Sequence, residues 1–211
     1  MSIAVVDYGM GNLRSVAKAI EHVAPRERVH VTFDAATIDA ADRVVFPGQG
    51  AMPDCMREMD ARGLRGPVLR AAAGKPFLGV CIGLQMLFES SEEGNVAGLA
   101  LMAGTVRRFP EEAMAGPDGA RLKVPHMGWN RVQQLRPHPL WRGVDDGTRF
   151  YFVHSYFVDP ADPALRAAQT VYGVPFTAAV ARDNIFAVQF HPEKSQTAGL
   201  ALLSNFVSWN P

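Results

Sequence analysis

Short apolar runs alternate with helix-like segments through the first half of the chain. The runs at residues 3–6, 29–33 and 43–46 predict short strands, and the all-apolar run at 77–80 predicts a buried strand. The segments between them carry apolar residues three and four positions apart, and they predict helices at residues 12–20, 51–59 and 66–73. This β–α–β rhythm predicts an α/β fold with an open, mostly parallel sheet and helices on both of its faces.

The second half of the chain has strand-like runs that mostly follow one another without helices between them. The pattern predicts strands at residues 105–109 and 150–158, a hairpin formed by 177–181 and 185–190, and a closing amphipathic helix at 195–209. The polar segment 111–119, which contains glycine and proline, predicts a mobile loop without chemistry. We therefore expect antiparallel strands to be added to the parallel sheet.

Length and composition fit a single domain over residues 1–211. The chain has 211 residues, of which 48% are hydrophobic and 20% charged, and its formal net charge is zero. This balance argues against a nucleic-acid binder, which normally carries a basic patch. The first residues predict a strand rather than a signal peptide, and no apolar run approaches the ~20 residues of a membrane helix. We expect neither nucleic acid nor membrane as a partner.

The strongest chemical signal is Cys81, which stands in a Gly-x-Cys-x-Gly frame. The apolar strand 77–80 leads into it, and a helix-like run at 84–89 leads out. This is the layout of a nucleophile elbow, in which glycines permit a sharp, strained turn. The N-terminus of the following helix favours a thiolate. Cys81 is therefore predicted to be a nucleophile rather than a core cysteine.

A histidine and a carboxylate two residues apart, His191 and Glu193, follow the predicted strand 185–190. Pro192 fixes the backbone between them, so that Glu193 can orient the imidazole. A neutral imidazole near pH 7 can accept the thiol proton and later return it to a leaving amine. Cys81, His191 and Glu193 together predict an acyl-transfer triad.

A glycine-rich segment, Gly48-Gln49-Gly50, is predicted to meet the elbow at one sheet edge, because right-handed crossovers place all strand-to-helix loops of a parallel sheet there. Backbone amides of this segment and of Ile82 are predicted to form an oxyanion hole. Gln85 lies one helical turn after Cys81 and could bind a polar substrate group. The alternative for Gln85 is a solvent-facing helix position.

Other motifs indicate what the chain lacks. Cys55, in the predicted helix 51–59, is interpreted as a buried structural thiol. A reactive Cys81 needs a reducing compartment, so we expect the protein in the cytoplasm. The sequence contains no His-x-His or Cys-x-x-Cys pair, and His126, His138 and His154 have no partner at ligand spacing. The loop at 7–12 lacks a full dinucleotide fingerprint. We expect no metal, no cofactor and no nucleotide at that loop.

The elbow at 79–85 and the segment 189–195 together resemble class I glutamine amidotransferases. More narrowly, segments 7–16, 123–130 and 151–156 resemble the glutaminase subunits of imidazole glycerol phosphate synthases. One departure is Gln49, where that family usually has valine; the backbone donor survives the change.

The resemblance implies a mechanism and a partner. Cys81 attacks the side-chain carbonyl of glutamine, a γ-glutamyl thioester forms, ammonia leaves, and water releases glutamate. Ammonia then passes through a channel to a TIM-barrel cyclase subunit, which makes imidazole glycerol phosphate and an aminoimidazole carboxamide ribonucleotide. The implied roles are oxyanion stabilisation by the amides of Gln49, Gly50 and Ile82, substrate contacts at Gly48, Gln85, Ser155 and Tyr156, and cyclase contacts at Asn12, Trp129, Asn130 and Lys194.

Three alternatives stay open on the sequence. The chain could serve another class I amidotransferase, in pyridoxal phosphate or anthranilate synthesis, although those relatives lack the signature at 127–130. It could be a stand-alone γ-glutamyl hydrolase or peptidase, which would be fully active without a partner. A non-catalytic regulatory module is disfavoured, because Cys81, His191 and Glu193 are all present.

Overall fold

A computed structural model describes the chain except for residues 111, 113 and 116–118. The prediction made for the loop 111–119 falls in part on these residues and lies outside the described chain. Strands occupy Ser2–Val6 (β1), Arg28–Thr32 (β2), Arg43–Gly48 (β3), Phe77–Cys81 (β4), Phe88–Ser91 (β5), Val96–Ala97 (β6), Met102–Arg108 (β7), His126–Arg131 (β8), Gln133–Gln134 (β9), Arg149–His154 (β10), Tyr156–Pro160 (β11), Arg166–Tyr172 (β12), Val174–Arg182 (β13) and Ile185–Val188 (β14).

Helices cover the main sheet. They occupy Leu13–Val23 (α1), Ala35–Ala40 (α2), Met52–Ala61 (α3), Arg65–Gly74 (α4), Ile82–Gln85 (α5) and Gln196–Ser208 (α6), and short 3₁₀ turns occupy Pro139–Trp141, Pro163–Leu165 and Pro192–Lys194. Helices α1 and α6 pack together, and α2 packs on α4. The helices predicted at 12–20, 51–59 and 66–73 and the closing helix are confirmed.

The main sheet has eight strands in the order β2-β1-β3-β4-β14-β13-β12-β9. Strands β2, β1, β3, β4 and β14 are parallel, and the sheet continues with the antiparallel strands β13, β12 and β9. The predicted hairpin is confirmed, since β13 and β14 pair across Arg182 and Ile185. The central strands β3, β4 and β14 are buried along their whole length, which matches their apolar runs.

Two smaller sheets depart from the sequence expectation. The predicted strand 150–158 is two strands, interrupted at Ser155. Strand β10 pairs with β8, and strand β11 pairs with β7. The carbonyl of Ser155 accepts a hydrogen bond from the Phe109 amide, at 3.1 Å. One apolar run therefore serves two different sheets, which its local pattern does not reveal.

The helix predicted at 84–89 is wrong. Helix α5 ends at Gln85, and the chain enters strand β5 at Phe88. The carbonyl of Leu87 accepts hydrogen bonds from the amides of Leu101 and Met102, so long-range pairing with the start of β7 takes the place of another helical turn. The apolar residues that predicted a helix face lie instead at the buried start of the four-stranded sheet β11-β7-β5-β6.

No helix within the described ranges is long and apolar enough to span a membrane.

Candidate active site

Strand β4 ends in a strained turn at Cys81. The backbone of Cys81 has φ 56° and ψ −111°, a conformation that a residue with a side chain adopts only under constraint. The constraint is packing: a Cβ on Gly79 would lie 2.9 Å from that of Ala187, and one on Gly83 would collide with the carbonyl of Phe46. The glycines that frame Cys81 therefore let the turn approach β3 and β14 closely.

The helix behind the elbow is a single turn, α5, rather than the longer helix expected. A single helical turn has only a small macrodipole. The expected stabilisation of a thiolate at Cys81 therefore comes only from the unpaired backbone amides of the first residues of α5. Ile82, the first of them, is the residue after the nucleophile.

A cavity of about 320 Å³ opens above Cys81. Its walls come from the end of β3, the elbow, the break between β10 and β11, and the turn after β14, which meet at one edge of the main sheet. The lining residues are Gln49, Gly50, Cys81, Ile82, Gln85, Glu93, Pro125, Val153, His154, Ser155, Tyr156 and His191.

The structure thus brings together most of the side chains and amides that the sequence suggested. The exceptions are Gly48 and Glu193, which are not among the lining residues that the structure describes. Gly48 lies opposite Cys81 in the register of β3 and β4, and it borders a narrow crevice shared with Asn12, His191 and Glu193.

His191 and Glu193 form a buried pair. Nδ1 of His191 lies 2.8 Å from Oε1 of Glu193, and both side chains are only 2% exposed. The backbone holds the ring in place, because the amide of His191 donates to the carbonyl of Tyr151 and the hydroxyl of Ser195 donates to the carbonyl of His191. The other ring nitrogen, Nε2, has no hydrogen-bond partner within the described chain and remains available to the nucleophile.

Electrostatics favour a charged imidazole. Burial by itself lowers the pKa of His191, but negative charge on Cys81 and a hydrogen bond and charge from Glu193 outweigh it and raise the pKa to about 10. The raised pKa of His191 favours the imidazolium that forms when the ring takes the thiol proton, and that proton is the one a leaving amine needs.

Gln85 is buried, with 1% of its surface exposed, so the solvent-facing alternative is excluded. Its Nε2 donates to the carbonyl of Tyr156 at 3.0 Å and to Oε1 of Gln189 at 3.1 Å. Its Oε1 is buried and unpartnered among the described residues. The amide is thus fixed by its donors, and its oxygen is left as an acceptor at the cavity wall.

Two residues of the site were missed by sequence reasoning. Gln189 is fully buried, and its Nε2 donates to Sγ of Cys81 at 3.7 Å. A signal existed, because Gln189 is a polar residue inside the apolar run that leads to His191. Glu93 lines the cavity while its Oε2 accepts from the Met52 amide at 2.7 Å, and nothing in its local sequence marks it.

Cys55 has the structural character that was predicted. It is fully buried, and burial raises the pKa of its thiol to about 11. Its Sγ donates to the carbonyl of Gln49 at 3.3 Å, so this thiol holds the glycine-rich segment rather than reacting. Because the peptide is planar and trans, the amide of Gly50 points away from Cys55.

The residues expected to meet a partner lie on the surface beside the triad. Trp129 is 43% exposed, and its ring packs edge-on against Tyr151 at 6.1 Å. The ammonium of Lys194 lies 5.9 Å from the centre of the same Tyr151 ring. We refer to Trp129, Tyr151 and Lys194 as the aromatic–lysine cluster. No group of three or more metal-ligating side chains occurs in the described part of the chain.

Comparisons with known proteins show the family of the chain. The model of the family "Glutamine amidotransferase class-I" matches residues 4–209. A protein of Aromatoleum aromaticum named imidazole glycerol phosphate synthase subunit HisH is 70% identical over 209 residues, covering 99% of each chain. A protein of the same name from Dechloromonas aromatica is 69% identical over 210 residues, covering 100% of this chain and 97% of that one.

Solved structures share the fold at low identity. A GMP synthase subunit of Thermoplasma acidophilum superposes with a TM-score of 0.71 at 18% identity, covering 99% of this chain and 92% of that one. A glutamine amidotransferase of Thermotoga maritima gives a TM-score of 0.60 at 16% identity, with coverage of 92% and 76%. These likenesses concern the fold alone.

Proposed function

The chain belongs to the class I glutamine amidotransferase family, and we propose that it is the glutaminase subunit of an imidazole glycerol phosphate synthase. It hydrolyses glutamine to glutamate and ammonia and supplies the ammonia to a cyclase subunit in histidine biosynthesis. The observation that carries the site assignment is the strained Cys81 in one cavity with His191, whose ring is paired with the buried carboxylate of Glu193.

Glutamine binds in the cavity above the elbow. The Oε1 of Gln85 accepts a hydrogen bond from a donor of the substrate, and the carboxylate of Glu93 favours a cationic group such as the α-ammonium. Ser155 and Tyr156, at the break between β10 and β11, close the opposite wall. The strand break that the sequence did not predict therefore shapes the substrate site.

Thioester formation follows from the geometry of the triad. Cys81 gives its thiol proton to Nε2 of His191 and attacks the side-chain carbonyl carbon as a thiolate. The developing oxyanion is stabilised by the amide of Ile82 and an amide of Gln49 or Gly50. The protonated His191 gives its Nε2 proton to the amide nitrogen as the C–N bond breaks, so that ammonia leaves. The neutral ring then accepts a proton from the attacking water, glutamate is released, and the starting state is restored.

The partner surface adjoins this machinery. Lys194 directly follows Glu193 and contacts Tyr151, whose carbonyl accepts from the amide of His191. A TIM-barrel cyclase that engages Lys194 would therefore act on the neighbour of Glu193 in the chain. One that engages Trp129 would act on Tyr151, whose carbonyl is hydrogen-bonded to His191. Exposed aromatic anchors with a neighbouring cation are typical of interface centres. Asn12 and Asn130 are the further cyclase contacts that we propose.

Selective labelling and a nucleophile variant test the proposal. A glutamine-like diazo-ketone should label Cys81 and spare Cys55, whose raised pKa makes it a matched internal control. In the complex with the cyclase, Cys81→Ala should lose glutamine-dependent synthesis and keep synthesis from added ammonium salt. Labelling mainly at Cys55, or glutamine-dependent synthesis by Cys81→Ala, would contradict the assignment. Full glutaminase activity without a cyclase would instead favour a stand-alone hydrolase.

A further inference from the structure

Two buried histidines outside the triad form a hydrogen-bonded pair. His126 begins β8 and His154 ends β10, and they are register partners. Nδ1 of His126 lies 3.1 Å from Nε2 of His154, and the residues are 3% and 6% exposed. Aromatic rings surround them, with Tyr172 stacked on His126 at 4.0 Å. Polar rings in such surroundings destabilise a protein unless each nitrogen is satisfied, and the triad chemistry uses neither ring.

The hydrogen bonds at both ends fix where the protons lie. Nδ1 of His154 is 2.8 Å from the carbonyl of Tyr156, which only accepts, so this nitrogen carries the proton. At the other end, Asn130 is oriented because its Nδ2 donates to the carbonyl of Val171 and its Oδ1 accepts from the Arg131 amide. Its Nδ2 therefore also donates to Nε2 of His126, at 3.3 Å.

One arrangement satisfies both ends: each ring is neutral and carries its proton on Nδ1. His126 then donates to His154, and His154 donates to Tyr156. Burial lowers the pKa of His126 to about 4 and that of His154 to about 3, in agreement with neutral rings. A second proton on either ring would face another donor, so the network resists protonation by geometry as well as by burial.

The network continues to the nucleophile. The carbonyl of Tyr156 that accepts from His154 also accepts from Nε2 of Gln85, at 3.0 Å. Gln85 donates in turn to Gln189, and Gln189 donates to Sγ of Cys81. An unbroken series of hydrogen bonds thus joins Asn130, beside the exposed Trp129, to the reacting sulfur.

We propose that the His126–His154 pair positions the glutamine site, by fixing the Tyr156 carbonyl and through it the Gln85 amide in the orientation set by Asn130. This role rests on the proposed glutaminase function. A carbonyl held by His154 keeps the amino group of Gln85 in place, and so keeps Oε1 turned to the substrate. His126 and His154 are positioning residues and do not touch the reacting atoms.

Coupling between sites requires a second arrangement, and inverting the Asn130 amide would give the pair one, at the expense of its bonds to Val171 and Arg131. If the Asn130 amide were inverted, its oxygen would face Nε2 of His126 and favour a proton there. His126 would then accept through Nδ1, His154 would donate through Nε2, and Nδ1 of His154 would face the Tyr156 carbonyl as a second acceptor. A contact that rotates Asn130 would therefore release that carbonyl. The partner surface would reach the substrate site by this route.

Histidine tautomers can be read directly by NMR of ¹⁵N-labelled protein, independently of any activity. We expect both His126 and His154 to be neutral Nδ1–H tautomers near neutral pH. Asn130→Asp, which offers only acceptors to His126, should move both rings away from that pattern. A neutral Nε2–H tautomer or an imidazolium at either position of the unmodified chain would overturn the proposal.

Kinetics in the complex with the cyclase test the consequence for glutamine. His154→Phe removes the donor to Tyr156 and should raise KM for glutamine about tenfold with little change in kcat, as expected for one positioning hydrogen bond. His154→Asn, whose Nδ2 can replace Nδ1 as the donor, should restore most of the affinity. His138→Phe is the matched control, since His138 also packs on aromatic rings, Phe186 and Trp209, but lies outside this network.

An unchanged KM in His154→Phe, or an equal rise in the Phe and Asn variants, would overturn the positioning role. If the wild-type complex itself lacked glutaminase activity, the proposed function would fail. The tautomer experiment would still decide whether the network exists as described.

Discussion

Replacing Glu193 by glutamine tests how much the triad depends on its carboxylate. The pair is buried, with 2% exposure on each side, and its atoms are 2.8 Å apart. At an effective dielectric constant of about 20, unit charges at this distance attract by about 6 kcal/mol. A glutamine keeps a neutral hydrogen bond of about 1 kcal/mol, and removing one member of a buried pair typically costs about 3–5 kcal/mol.

We therefore expect Glu193→Gln to lose about 3–4 kcal/mol of transition-state stabilisation, or roughly two to three orders of magnitude in kcat/KM. A second effect has the same sign: an amide can turn its NH₂ toward Nδ1 and select the wrong tautomer of His191. The loss should stay below the ~10⁴-fold in kcat known for a serine protease triad.

The assay is glutamate release by the complex with the cyclase, with saturating cyclase ligand, beside a thermal melt of each variant. Glu58→Gln is the control, because it removes a carboxylate on α3 that is 34% exposed and lies 3.7 Å from Arg57. That variant should keep wild-type kinetics. Wild-type kcat/KM in Glu193→Gln, or a loss fully explained by unfolding, would refute the reasoning.

Further predictions concern the elbow, the pH dependence and the partner surface. Gly83→Ala should destabilise the protein by about 3 kcal/mol or more in denaturant melts, because the new Cβ meets the Phe46 carbonyl, whereas Gly74→Ala has open space and should not. Since the pKa of His191 is raised from 6.5 to about 10, its contribution to the free energy of unfolding should be complete below pH 6.5 and disappear as the pH rises toward 10. The loss of unfolding free energy in Glu193→Gln should therefore shrink over this pH range, and a constant loss would contradict the prediction. Lys194→Ala and Trp129→Ala should weaken stimulation by the cyclase more than they lower Tm, and unchanged stimulation and affinity in both would move the interface elsewhere.

The parallel half of the fold could be predicted from the sequence because its signals are local. Strands β1, β3 and β4 contain apolar runs, β2 alternates valines with polar residues, and α1, α3 and α4 have helical spacing. Each element is therefore visible within its own window. The elbow and the His191–Glu193 pair were visible for the same reason. Their meeting follows from sheet topology, which places strand ends at one edge.

The remaining features depend on pairing between distant segments. The apolar run after Gln85 forms strand β5 because it pairs with β7. The run around Ser155 forms two strands, because its first part pairs with β8 and its second part pairs with β7. Folding alone brings Gln189 to the sulfur of Cys81 and Glu93 to the cavity wall. The raised pKa of His191 depends on how Cys81 and Glu193 combine around it in the folded chain.

The most direct test of the central claim follows the amide nitrogen of glutamine. The complex with the cyclase is given amide-¹⁵N glutamine in the presence of excess unlabelled ammonium, and the imidazole glycerol phosphate formed is analysed by mass spectrometry. The account predicts ¹⁵N in the imidazole ring for the wild type, and only unlabelled product for Cys81→Ala. Label that appears only as free ammonium, or labelled product from Cys81→Ala, would contradict it.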